Sequence, residues 1–171
     1  RPARTAITLR HLLTHTAGFG YFFIHPELLQ YFAAVGMPAP GSLAGIRTPL
    51  LYDPGDKWEY SVSIDWAGLA VEAVTGSTLG DYMAEHVFAP LGMTGTGFFD
   101  SLPAGAAQVH IRDESGALKV QPMFLGGGEY HNAGGGLIGT APDYARFLRA
   151  MLRGGELDGA RILRPETVAE M

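Results

Sequence analysis

The stretch TAPDYARFLRAMLR, Thr140 to Arg153, leaves a chain little choice of local structure. Thr140 can cap a helix with Asp143 three residues on. Tyr144, Phe147, Leu148, Met151 and Leu152 then recur at i, i+3, i+4, i+7 and i+8. The spacing predicts an amphipathic helix over 141–153, and a helix of that length gains most of its stability from packing its apolar face. With 171 residues, 47% apolar and 17% charged, the chain is long enough for one domain with a core of its own.

Other signals are shorter. ITLRHLLTHTAGFG predicts a helix with Thr8 as N-cap, Leu9, Leu12 and Leu13 on one face, and Gly18 as its end. HPELLQYFAAVG predicts a second, with Pro26 at the first helical position and Gly36 after the last. Residues 37–59 read as loop, with proline or glycine at 38, 40, 41, 45, 49, 54 and 55. Ile64, Ala67, Val71 and Val74 give a helix over 63–75 stopped by Gly76. Thr78 and Asp81 open another that runs to Phe88 and is closed by Pro90. QVHIRDESGALKVQ alternates around a glycine-containing turn, a β-hairpin over 108–121. A glycine-dense stretch runs from Gly126 to Gly139. Beyond the 141–153 helix come a turn at Asp158-Gly159, a short strand and a helix begun by Pro165. The fold class is mainly α with a small antiparallel β element.

Charge and composition narrow the function. The net charge is −5 and the ten arginines are scattered, so no basic face is offered to nucleic acid. The longest uncharged run, 28–46, holds Pro38, Pro40 and three glycines and makes no spanning helix. Neither membrane insertion nor a secretory signal is expected from these residues, and the compartment is left open. Cysteine is absent, which removes disulfides, thiolate nucleophiles and Cys-ligated zinc. His11 and His15 stand at i, i+4, but no H-E-x-x-H accompanies them, and no metal or cofactor is expected. His15 is expected to bond backbone near the Thr16–Gly18 turn, with His11 facing solvent. Gly134-x-Gly136-x-x-Gly139 imitates a dinucleotide fingerprint without the buried strand that must precede it. No serine stands in G-x-S-x-G or opens S-x-x-K, so these residues contain no recognisable nucleophile–base pair.

Three stretches, in order, resemble the serine β-lactamase-related hydrolases. ITLRHLLTHTAGF is similar to that superfamily's Thr-His-Thr-(Ser/Ala)-Gly helix. PGDKWEYSVSIDWAGLAVEAVTG, continuing through LGMTGTGF, resembles its second catalytic segment. AGGGLIGTAPDYARFLRAMLRGG resembles its Gly-Gly-Gly-Leu helix. The superfamily comprises class C β-lactamases, D-Ala-D-Ala carboxypeptidases and family VIII carboxylesterases, and the resemblance spans the whole chain. It implies a β-lactamase/transpeptidase-like α/β fold of which residues 1–171 are a single, central, mostly helical portion. The Ser-x-x-Lys segment is expected before Ile7 and a last motif after Met171, so the isolated chain is expected to be inactive.

The resemblance also assigns residues. Tyr60 maps onto the family's tyrosine and is the expected catalytic general base. A phenol ionises near a pKa of about 10, and an adjacent lysine ammonium would favour the phenolate. The helix start at Ser63 would add a smaller push the same way. Val62 stands where β-lactamases and carboxypeptidases of the superfamily carry the asparagine of Tyr-x-Asn, whose amide can bond a substrate amide. Trp-x-Tyr-Ser here looks more like family VIII. The implied function is a serine carboxylesterase working on a small-molecule ester through an acyl-enzyme. A β-lactamase or D,D-peptidase is the nearest rival, and a non-catalytic helical binding module is the rival of another class. Val62, Trp58, Gly134, Gly135 and Gly136 are the expected substrate-binding residues, with His15 and Asp65 as structural support.

Overall fold

The computed structural model describes residues 2–121 and 128–171; Gly126 and Gly127 of the glycine-dense stretch lie outside the described residues. Helix α1 is Leu9–Leu13. Thr8 Oγ1 accepts from His11 N at 3.2 Å while His11 Nδ1 accepts from Thr8 N at 3.3 Å, a reciprocal cap. The helix stops well before Gly18, because His15 turns into the left-handed region at φ 54°. The two histidines therefore do not share a helical face, and His11 caps rather than simply facing solvent. Helix α2, Pro26–Val35, has the predicted bounds. A four-residue helix α3, Leu43–Ile46, lies in the segment read as loop. It is too short for a periodic signal, yet it places Ile46 in the core.

Helix α4, Ser63–Thr75, ends as predicted with Gly76 left-handed at φ 72°. The helix predicted over 78–88 divides. Helix α5, Leu79–Met83, passes into a π-helical turn, Ala84–Phe88, and then into α6, Ala89–Leu91. Pro90 does not close it. It occupies the first turn of α6, where a missing N–H costs nothing, and Gly92 ends the run. Strand β1, Gly97–Phe98, is followed by the predicted hairpin of β2, His110–Arg112, and β3, Leu118–Val120. Strand β4, Leu137–Ile138, pairs antiparallel with β1, setting Gly97 opposite Ile138. Helix α7 is Ala141–Leu152, β5 is Glu156–Leu157, β6 is Ala160–Arg161 and α8 is Pro165–Glu170. Among the described residues no helix is long and apolar enough to cross a membrane.

Among the described residues two clusters of buried side chains stand out. Leu12, Ala17, Phe19, Ile46, Val62 and Ala67 form one, with Trp66 stacked at 6.0 Å on Phe19. Phe88, Leu91, Met93, Ala150 and Leu157 form the other. The apolar stripe of α7 is only partly used. Phe147 and Met151 pack on the second cluster, whereas Tyr144, Leu148 and Leu152 are exposed. The helix is rolled by Asp143, which is buried and accepts from Gly95 N at 2.8 Å and Thr96 Oγ1 at 2.9 Å.

Candidate active site

The site begins where two distant segments run side by side. Leu51 N donates to Gly18 O at 2.8 Å, Gly55 N to Thr16 O at 2.8 Å and Glu59 N to His15 O at 2.8 Å. Gly18 is obligatory here, since its φ is 95° and a Cβ would lie 2.4 Å from Tyr52 O. This pairing delivers residues 58–62 to the start of α4. Tyr60 is there partly exposed, at 45%, and Trp58 projects beside it at 63%.

His15 holds Tyr60 from both sides. Its carbonyl accepts from Glu59 N, and its Nδ1 accepts from Ser61 N at 3.3 Å. Its ring lies 4.8 Å from that of Tyr60 and 6.4 Å from that of Trp58. The partners are thus in the Tyr60 segment, not in the Thr16–Gly18 turn. Burial lowers the His15 pKa from 6.5, which favours the neutral ring that can accept. Ser61 and Ser63 are buried and share a hydrogen bond of 2.7 Å.

Behind Tyr60 stand two phenols and a carboxylate that no sequence spacing connects. The Tyr21 ring lies 5.5 Å from that of Tyr60, tilted by 47°. Burial pushes the Tyr21 hydroxyl up to about 12, with smaller contributions from Asp65, Tyr60 and Tyr130. Tyr130 is likewise raised to about 12, by burial and then by Asp65. Asp65, 2% exposed in the first turn of α4, accepts from Gly134 N at 3.1 Å. Burial raises its carboxyl above the usual range, against the opposing pull of bonds from Gly134 and Ala133.

The predicted substrate-binding residues are not brought together. Trp58 is at the surface next to Tyr60, but Val62 is 5% exposed and its side chain belongs to the core. Gly134 faces Asp65. Gly135 and Gly136 line a separate cavity of about 390 Å³, walled by Tyr130, His131, Phe98, Glu72 and Asp100. None of Tyr60, Trp58 and Val62 borders that cavity. Gly136 leaves no room for a Cβ, which would lie 2.7 Å from Asn132 O, and both Gly135 N and Gly136 N donate to Asn132 O. The glycines thus shape a turn leading into β4. Among the described residues no three His, Asp or Glu side chains gather to hold a metal ion.

Comparison with known proteins sets this geometry in a family. A profile of the Beta-lactamase family matches residues 1–171. The chain is 36% identical over 181 residues to monacolin J acid methylbutanoyltransferase of Aspergillus terreus, covering 100% of this chain and 43% of that protein. It is 36% identical over 184 residues to lovastatin esterase of Penicillium rubens, covering 99% and 44%. It superposes on a mutant simvastatin synthase from Aspergillus terreus with a TM-score of 0.83 and 39% identity, covering 99% of this chain and 42% of that one. On EstCE1, a hydrolase with promiscuous acyltransferase activity, the TM-score is 0.79 at 26% identity, covering 98% and 50%. The chain spans less than half the length of the curated relatives it matches.

Proposed function

The chain belongs to the Beta-lactamase family, and from that premise we propose that it carries the general base of a serine enzyme acting on carboxylic esters through an acyl-enzyme. The serine nucleophile and its lysine would come from the remainder of a longer protein, of which these residues are the central, mostly helical portion. Tyr60 would take the serine proton as the oxygen attacks the ester carbonyl and return it to the departing alcohol. In the second half it would take a proton from the incoming acceptor and give it back to serine. The observation that supports this most is the placement of Tyr60, a phenol reachable from solvent yet held through its backbone neighbours by His15.

Two acceptors fit the same chemistry. Water gives an esterase, and an alcohol gives an acyltransferase. The family relatives include one of each by name, lovastatin esterase and a methylbutanoyltransferase. Trp58 is the side chain best placed to touch the substrate beside Tyr60. Gly134 would act indirectly, through Asp65.

The test compares wild-type and Tyr60→Phe full-length protein on a short-chain p-nitrophenyl ester, with and without an added alcohol. General acid–base catalysis is worth roughly 100- to 10,000-fold, so kcat should fall by about that much with KM little changed. A Tyr60→Phe enzyme within a few-fold of wild type would remove Tyr60 from the chemistry. Faster turnover of nitrocefin or a D-Ala-D-Ala peptide than of the ester would replace the substrate class. Saturable ligand binding with no turnover of any of them would make the chain a binding module.

A further inference from the structure

His15 makes more contacts with the Tyr60 segment than a packing residue needs. It is a non-glycine residue at φ 54°, a left-handed backbone conformation that is unfavourable for a side chain with a Cβ unless its surroundings compensate. What that conformation achieves is visible in its bonds. It turns the carbonyl toward Glu59 N and the ring toward Ser61 N, so that one residue grips the chain on both sides of Tyr60. The ring then rests against the Tyr60 ring at 4.8 Å. Because Nδ1 accepts from a backbone N–H, it carries no proton, and a neutral ring bears its hydrogen on Nε2.

We propose that His15 is a positioning residue whose neutral Nε2–H tautomer holds Tyr60 in register, so that protonation of Nδ1 releases the Ser61 bond and disables the base. The inference rests on the reading of Tyr60 as general base. A proton on Nδ1 would set two hydrogens facing each other across the Ser61–His15 contact, and the segment would have to move. Among the described residues, the charged groups on the elements packed against His15 are engaged elsewhere. On α1, Arg10 pairs with Glu170 at 2.8 Å and His11 Nδ1 is engaged by Thr8 N. On the Tyr60 segment, Lys57 and Glu59 pair with each other at 3.1 Å, and Glu59 also faces His25. On α4, Asp65 is committed to Gly134; the phenol whose ring lies against His15 is that of Tyr60, with Tyr21 on Tyr60 in turn. Burial is what shifts His15, and it does so in favour of the neutral form.

The test uses three variants of the full-length protein and one spectroscopic measurement. Asparagine tolerates φ above zero and offers Oδ1 near the place of Nδ1. His15→Asn should therefore retain most of the wild-type kcat and lose the acid limb that His15 gives the wild type below pH 6.5. His15→Leu cannot accept, and should lose roughly 10- to 100-fold in kcat at pH 8, with KM little altered, and should approach the wild type in acid, where protonated His15 has released the same bond. Nitrogen-15 shifts of wild-type His15 should report the neutral Nε2–H form at pH 8. An unchanged acid limb in His15→Asn, a fully active His15→Leu, or the Nδ1–H tautomer would each overturn the proposal. Tyr60→Phe separates the two readings. If it is active, the base assignment fails. If it is inactive while the His15 variants behave as wild type, only the clamp fails.

Discussion

Asp65 is where competing effects in this site can be weighed by magnitude. Replacing it with alanine orphans Gly134 N, which donates to the carboxylate at 3.1 Å. A hydrogen bond to a charged group is worth about 1.5–3 kcal/mol, which sets the gross loss. Two things offset it. Gly134 is exposed, so water can recover part of its bond, and the variant no longer keeps a charge at a position only 2% exposed. The bond should still win, leaving Asp65→Ala less stable by about 1–2 kcal/mol in urea unfolding followed by circular dichroism. Asp65→Asn keeps one acceptor and should cost about 1 kcal/mol. The two variants also test the sign of the titration. A carboxyl whose folded pKa is raised gives stability fully present below its unfolded value of 3.8 and lost as pH rises through the folded one. Asparagine has no such loss, so its penalty should be larger in acid than at neutral pH. An Asn penalty that grows from acid to neutral, or an Ala variant as stable as wild type, would refute this reasoning.

Other consequences are simpler to read out. Gly18→Ala should lose about 2–4 kcal/mol by thermal unfolding, since the left-handed backbone and the Tyr52 carbonyl both oppose a Cβ; a loss under about 0.5 kcal/mol would mean that the paired segments can separate freely there. Tyr21, Tyr52 and Tyr130 are each held at about 12 by burial first, so a near-ultraviolet titration should show these phenols ionising late. Their raised values are lost as stability from pH 10 upward, where the unfolded chain ionises first. Tyr21→Phe should remove one late-titrating phenol, and finding all seven tyrosines near pH 10 would contradict the burial.

What the sequence disclosed depended on whether the governing interaction was local. Helices α2, α4 and α7 carry their own caps and stops in Pro26, Gly76 and Thr140, and their bounds could be read within a residue or so. The run from Thr78 failed at Pro90, because the π turn moves the hydrogen-bond frame so that the proline falls in a new first turn. The β1–β4 pair is two residues long on each side and joins segments about forty residues apart, leaving no alternation to detect. In the candidate site, Tyr60 is proposed from family resemblance, whereas Tyr21, whose ring lies against it, and Tyr130 carry no signal of their own in the sequence. They meet Asp65 only through the packing of α1, α4 and the loop before β4. His15 was legible as a supporting residue, while its partners were misjudged, since a left-handed turn after α1 redirects both its carbonyl and its ring.

The same logic recasts Val62. As a motif position it reads as a missing amide, a contact that a peptide or β-lactam substrate would lose. In this structure its side chain sits among Leu12, Ala17, Phe19, Ile46 and Ala67, next to the buried Ser61–Ser63 pair. An amide in that place would have to find partners inside an apolar cluster or bear a cost of about 1–3 kcal/mol. Valine instead packs, and by packing fixes the start of α4, whose first turn carries Asp65. His15 bonds the chain at Glu59 and Ser61, and the apolar burial of Val62 fixes the residue that follows. Burial anchors the segment of Tyr60 by exclusion of water, and His15 anchors it by directed hydrogen bonds. A tyrosine expected to give and take a proton in each half-reaction needs both, because the phenol must return to the same place after every transfer.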